Sequence, residues 1–90
     1  MDLNNTPTEE LARAVGWTLR GRPLNTNETA ELRGLRPNTL EIERHDGKGP
    51  PFLQDKRKGR VTYSERDVLL YMLASRRRHT AQAHREAIAA

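Results

Sequence analysis

The run Gly47-Lys48-Gly49-Pro50-Pro51 divides this chain into two kinds of structure. Two glycines and two prolines in five positions exclude helix and impose an extended path. Before that joint the apolar residues recur at spacings of three and four. After it, Phe52-Leu53 and Val61-Thr62-Tyr63 are short β-prone pieces separated by a polar, basic loop, Gln54-Asp55-Lys56-Arg57-Lys58-Gly59-Arg60. Two such pieces around a flexible loop predict a hairpin, and four cations among five residues mark its tip.

Helix boundaries follow from capping chemistry. Thr6-Pro7-Thr8-Glu9 combines a capping residue, a proline suited to a first turn and a carboxylate at capping-box distance. With Leu11, Ala14, Val15 and Leu19 forming one stripe, a first helix is expected from Pro7 to Leu19, ended by Gly21-Arg22-Pro23. A second helix is expected to start at Asn25 or Thr26, with Glu28 and Glu31 near its positive end. Ala30, Leu32 and Leu35 supply its inward side, and Gly34 interrupts it. Pro37 then opens a third helix reaching His45 and stopping at Asp46-Gly47. Two short helices joined through a glycine predict a helix-turn-helix. Ser64, with Asp67 three residues later, starts a last helix whose buried side is Val68, Leu69, Tyr71, Met72 and Leu73. Beyond it lie Arg76-Arg77-Arg78-His79 and an Ala-rich end.

The expected fold is therefore mostly α with a small β-hairpin: a winged helix-turn-helix with an extra N-terminal helix and a basic, Ala-rich C-terminal tail. Residues 1–23 form the N-terminal extension, 24–75 the winged domain and 76–90 the tail. Ninety residues, 34% of them hydrophobic, allow one domain with a core of about a dozen side chains. No cysteine is present, which excludes disulfides, thiolate metal sites and thiol nucleophiles. No apolar run approaches the roughly 18 residues of a membrane span. The polar start Met1-Asp2-Leu3-Asn4-Asn5 does not have the order of a secretory signal, so a cytoplasmic, nucleoid-associated location with no membrane partner is expected.

Charge is unevenly placed. Residues 1–46 carry six Arg against eight acids, whereas residues 47–90 carry ten Lys and Arg against four. A basic half suggests a polyanion-facing surface, and a solvated basic face is the plainer alternative.

The stretch Leu24 to Ala74 resembles the MerR-like winged-helix domains of phage and integrative-element excisionases, or recombination directionality factors. The resemblance is carried by Asn27-Glu28-Thr29-Ala30-Glu31-Leu32, Arg36-Pro37-Asn38-Thr39-Leu40, Asp46-Gly47-Lys48-Gly49-Pro50-Pro51-Phe52, Val61-Thr62-Tyr63 and Asp67-Val68-Leu69. The Gly-Lys-Gly-Pro-Pro-Phe joint is its most specific element, and the cover is about fifty of the ninety residues. Such domains usually carry an aromatic three residues after the leucine of the recognition helix. Here Glu43 stands there, so either Ile42 turns inward or the helix packs less deeply. The family also contains plain transcriptional regulators.

The resemblance implies that the helix opened by Pro37 enters a major groove of double-stranded DNA. With Leu40 inside, the base-reading set is Asn38, Thr39, Glu41, Ile42 and His45. Arg36, Arg44 and Lys48, with Lys56, Arg57, Lys58 and Arg60 on the wing, are candidate phosphate or minor-groove contacts. Arg76, Arg77 and Arg78 are secondary candidates, because a helix end favours cations in any case. For each, solvation is the plainer alternative. Trp17 belongs in the core or at an interface between copies. A single module of this kind buries only roughly 600–1,000 Å² on DNA, so self-association along the duplex is expected.

Catalysis is not expected. His79 and His84, five positions apart, lie about 140° around a helix, and no phosphate loop, serine elbow or His-Glu-x-x-His motif occurs. No cofactor or metal is expected. The expected role is to bind and bend DNA at an attachment region so that a tyrosine or serine integrase excises the element. Regulation of transcription from a mobile element, or service as a protein-interaction adaptor, are the alternatives.

Overall fold

The chain is represented by a computed structural model that describes residues 3–55 and 59–76. A 3-10 turn over Leu3–Asn5 leads to helix α1, Thr8–Val15, and an irregular segment then crosses to α2, Thr26–Arg33, and α3, Pro37–His45. Strands β1, Leu53–Gln54, and β2, Val61–Thr62, pair antiparallel with Leu53 opposite Thr62 and Gln54 opposite Val61. Residues 65–76 form helix α4. The described chain is thus mostly helical with one two-stranded hairpin, as its capping and turn residues lead one to expect.

The local signals act where expected around α2. Asn25 Oδ1 accepts from the Glu28 amide at 2.8 Å while Glu28 Oε1 accepts from the Asn25 amide at 3.1 Å, a reciprocal capping box. The helix ends at Gly34, with the Leu35 amide donating to the Ala30 carbonyl at 2.9 Å. Three residues, Gly34 to Arg36, separate it from α3, which opens on Pro37 and ends at His45. Ser64 caps α4, its Oγ accepting from the Asp67 amide at 3.3 Å.

Helix α1 departs from the expectation at both ends. It stops at Val15 rather than Leu19, because Gly16 takes a left-handed conformation (φ +76°) and the Trp17 amide folds back to the Ala12 carbonyl at 2.9 Å. Its N-cap is Pro7, which offers no side-chain cap bond, so Thr6 precedes the cap instead of forming it. The inward side is Leu11, Ala12 and half-buried Val15, while Ala14 faces solvent. Leu35 is also more exposed than expected (39%), since the turn at Gly34 carries it past the helix.

Two apolar clusters meet at Leu32. One joins Ala30, Leu40, Tyr63 and Val68, with Leu32, Val61 and Met72 against it. The other joins Leu11, Ala12 and Leu69, with Leu32, Trp17, Leu19, Leu70 and Leu73 around it. Helix α1 therefore shares a core with α4, and the boundary at residue 23 falls within a packed unit. A further link is non-local: Leu24 and Tyr63 exchange two backbone hydrogen bonds of 2.8 Å, adding a one-residue bridge beside the hairpin. Among the described residues no helix is long and apolar enough to cross a membrane.

Candidate nucleic-acid interface

The outer side of α3 is set by its inner side. Leu40 is fully buried between α2 and the α4 side of the core, so positions 38, 41, 42 and 45, which share one helical face, point away from it. Asn38, Glu41, Ile42 and His45 are accordingly all exposed, and Thr39 is half-buried at the margin. The structure brings the proposed base-reading residues together on one solvent-facing surface. Ile42 is 54% exposed and so does not turn inward.

Glu43 and Arg44 flank Leu40 on the core side and hold α3 in two directions. Glu43 pairs with Arg33 at the end of α2 through two contacts, Nη1 to Oε1 at 2.5 Å and Nη2 to Oε2 at 3.1 Å. The Arg33 guanidinium also lies 5.2 Å from the Tyr71 ring centroid on α4. A bidentate, half-buried pair of this sort holds geometry as well as adding attraction. The glycine joint is fitted to it: the Lys48 amide donates to the Glu43 carbonyl at 2.8 Å. Gly49, at φ +88°, passes so close that a Cβ there would lie 3.1 Å from the Glu43 carboxylate. An ionic pair thus holds this side of α3, and the neighbouring glycine has no side chain to displace it.

Arg44 turns away from the exposed surface. Its Nη1 donates to Tyr63 Oη at 2.8 Å and to Thr26 Oγ1 at 3.4 Å, and its guanidinium sits 5.8 Å from the Phe52 ring centroid. This candidate phosphate contact is thus bound to the scaffold through one of its nitrogens.

The remaining cations divide sharply. Arg20 and Arg22 converge on Glu28, at 2.7 and 2.5 Å, and Arg20 reaches Glu31 at 3.1 Å. Their hydrogen bonds raise both guanidinium pKa values. The same contacts, Arg22 first, then the Asn25 amide and Arg20, pull the Glu28 carboxyl down to about 2. Arg66 donates to the carbonyls of Asn4 and Thr6 and to Thr8 Oγ1, fastening the N-terminal turn to α4. By contrast Arg36, Lys48 and Arg60 are exposed and form no ion pair with another described residue. Arg13 on α1 is likewise exposed. Arg36 is the N-cap of α3 and Lys48 follows its C-terminus, so two of these cations bracket the exposed helix. Arg60 precedes β2 on the hairpin. Arg76 is exposed at the end of α4, while Lys56, Arg57, Lys58, Arg77 and Arg78 lie outside the described residues.

Three structural residues gave little warning in the sequence. The Arg33–Glu43 pair spans ten positions, and nothing in its spacing announces it. Glu65 looks like an ordinary first-turn carboxylate, yet it is 8% exposed and gathers the Trp17 indole N–H and the amides of Arg20 and Gly21. The available signal was Trp17 itself, since a buried indole needs an acceptor. Among the described residues no cluster of three or more His, Asp or Glu side chains could hold a metal ion. Neither a protein-family model nor a curated protein nor a solved structure matches this chain.

Proposed function

We propose that this chain is a winged helix-turn-helix protein that binds duplex DNA, with α3 in the major groove and the hairpin as the wing. One observation carries the reading: exposed cations without a described ion-pair partner, Arg36 and Lys48, stand at the two ends of the helix whose outer face is Asn38, Glu41, Ile42 and His45. A helix with its side chains is about 10–12 Å across and fits the roughly 12 Å wide major groove, so cations at its two ends can reach phosphates while its outer face meets base edges. Asn38 suits adenine, Glu41 the cytosine amine and Ile42 a thymine methyl. Glu41 and Asp46 repel phosphate, so affinity depends on Arg36, Lys48, Arg60 and the wing-tip residues Lys56, Arg57 and Lys58.

The role in the cell follows from the resemblance of residues 24–74 to excisionases. Several copies, self-associated along an attachment region, bend the duplex, at about 1–6 kcal/mol per site, and a tyrosine or serine integrase performs the strand chemistry. The protein itself is architectural and non-enzymatic, and acts in the cytoplasm on the nucleoid.

The test is duplex binding across a salt series, followed by selection of sheared genomic DNA. Log affinity should fall linearly with log salt, the slope shrinking by about one for each of Arg36 and Lys48 replaced by Ala. Clustered sites beside an integrase gene or attachment site are expected. Peaks at promoters alone would move the reading to transcriptional regulation, and binding indifferent to salt and to these cations would favour a protein-interaction adaptor.

A further inference from the structure

We infer that Arg44 is a positioning residue that sets the wing against the recognition helix, rather than a residue that touches DNA. The inference rests on the DNA-binding reading above. The hairpin is tied to the body at its β2 root, through Val61 against the core and the Leu24–Tyr63 bridge, and is less well held on the β1 side. Its strands are two residues long, and its connection to α3 runs through Gly47 and Gly49, both at positive φ. A ladder of two residue pairs is too short to be stable alone and fixes no angle to the rest of the molecule.

Arg44 spans that gap. It leaves α3 on the side away from Asn38, Glu41 and His45, one position from the residue that anchors α3 to α2. Its guanidinium lies 5.8 Å from the Phe52 ring and 6.0 Å from the Tyr63 ring. Phe52 immediately precedes β1 and Tyr63 immediately follows β2, and their rings are 6.1 Å apart. One side chain therefore grips the roots of both strands. The Tyr63 hydroxyl at 2.8 Å and the Thr26 hydroxyl at 3.4 Å fix the guanidinium plane. Tyr63 is 1% exposed and is held by the Leu24 bridge, so the β2 side of the grip is made on core, while Phe52 on the β1 side is 38% exposed. A planar guanidinium set beside two aromatic rings is a geometry lysine does not reproduce. Binding through the wing would then depend on Arg44 although Arg44 carries no phosphate.

A double-mutant cycle with two readouts tests this. The variants are Arg44→Gln, a wing variant with Lys56, Arg57, Lys58 and Arg60 all replaced by Ala, and their combination. Tyr63→Phe, which removes only the hydroxyl, serves if Arg44→Gln does not fold. On DNA, Arg44→Gln should lower the salt slope by more than the single unit that loss of one phosphate contact gives, and should change it little further in the wing variant. Without DNA, it should speed hydrogen exchange of the Leu24 and Tyr63 amides by roughly tenfold or more relative to the Leu11 amide. A drop of one unit in both backgrounds, or hairpin exchange equal to wild type, would overturn the inference. Absence of any salt-dependent duplex binding by the wild type would refute the DNA reading instead, leaving the exchange result to decide whether Arg44 anchors the hairpin.

Discussion

Glu65 and Trp17, forty-eight positions apart, are joined by a 2.8 Å hydrogen bond from the indole Nε1 to Oε2. The same carboxylate accepts from the Arg20 amide at 3.1 and 3.2 Å and from the Gly21 amide at 3.0 Å. Arg20 in turn lies over the Trp17 ring, 4.7 Å from its centroid. A nearly buried carboxylate at the start of α4 thereby organises the irregular segment between α1 and α2 ahead of the one-residue Leu24–Tyr63 bridge.

Replacing Glu65 by Ala should therefore destabilise the fold by about 2–4 kcal/mol, because an indole N–H and two amides lose their acceptor together. Glu65→Gln keeps one oxygen for the amides but sets an amide nitrogen near the indole donor, and should cost about half as much. Urea denaturation read by Trp17 fluorescence measures both. Equal stability of Glu65→Ala and wild type would contradict the latch.

Leu40 is fully buried at the centre of the cluster that seats α3. Leu40→Ala should cost about 2–5 kcal/mol, a large part of the about 5–15 kcal/mol available to a domain. Ile42→Ala, two positions on and 54% exposed, should change stability by less than about 0.5 kcal/mol. Thermal denaturation of the pair checks the orientation of α3 directly: similar losses would mean the helix is rotated.

Two glycines at positive φ separate backbone strain from steric fit. A Cβ on Gly16 meets nothing within 4 Å, so Gly16→Ala should cost about 1 kcal/mol, from φ alone. A Cβ on Gly49 lies 3.1 Å from the Glu43 carboxylate, which Arg33 holds in place, so Gly49→Ala should cost clearly more. Combining Gly49→Ala with Glu43→Ala should recover part of the excess, measurable as a shift of the denaturation midpoint.

Glu28 gives the fold a defined acid response. Its carboxyl is lowered from the ordinary 4.5 to about 2. A group with a depressed folded pKa contributes fully above its unfolded value and loses that contribution as pH falls toward the folded one. The Glu28 contribution to stability should therefore be complete and independent of pH above about pH 5 and decline between pH 4.5 and about 2. Glu28→Gln should show a shallower decline in that window. Melting curves from pH 2 to 7 test this, and parallel curves for the two proteins would contradict it.

Much of this architecture was legible because it is written in local chemistry. The Asn25–Glu28 capping box, Pro37 at the head of α3 and the Ser64 cap each act within three or four residues, so their spacing suffices to place a helix end. The outward face of α3 was legible for a related reason: once Leu40 is inside, helical geometry sends 38, 41, 42 and 45 outward together. The end of α1 is less legible although its signal is local. Gly16 stood in the sequence, but the apolar residues Trp17 and Leu19 beyond it extended the helical pattern.

The succession of helices, the hairpin and the composition of the exposed face of α3 follow from capping, turn propensity and periodicity, all of which act locally along the chain. The tertiary structure decided which charges remain available. Sixteen basic residues look alike in a sequence. Only the fold sets Arg33 against Glu43, Arg20 and Arg22 against Glu28, and Arg44 against Tyr63, leaving Arg36, Lys48 and Arg60 facing solvent. The physical reason is that an ion pair or a cation–aromatic contact depends on distance in space, and in a chain this small nearly every such distance is set by the packing of α2, α3 and the hairpin around one core.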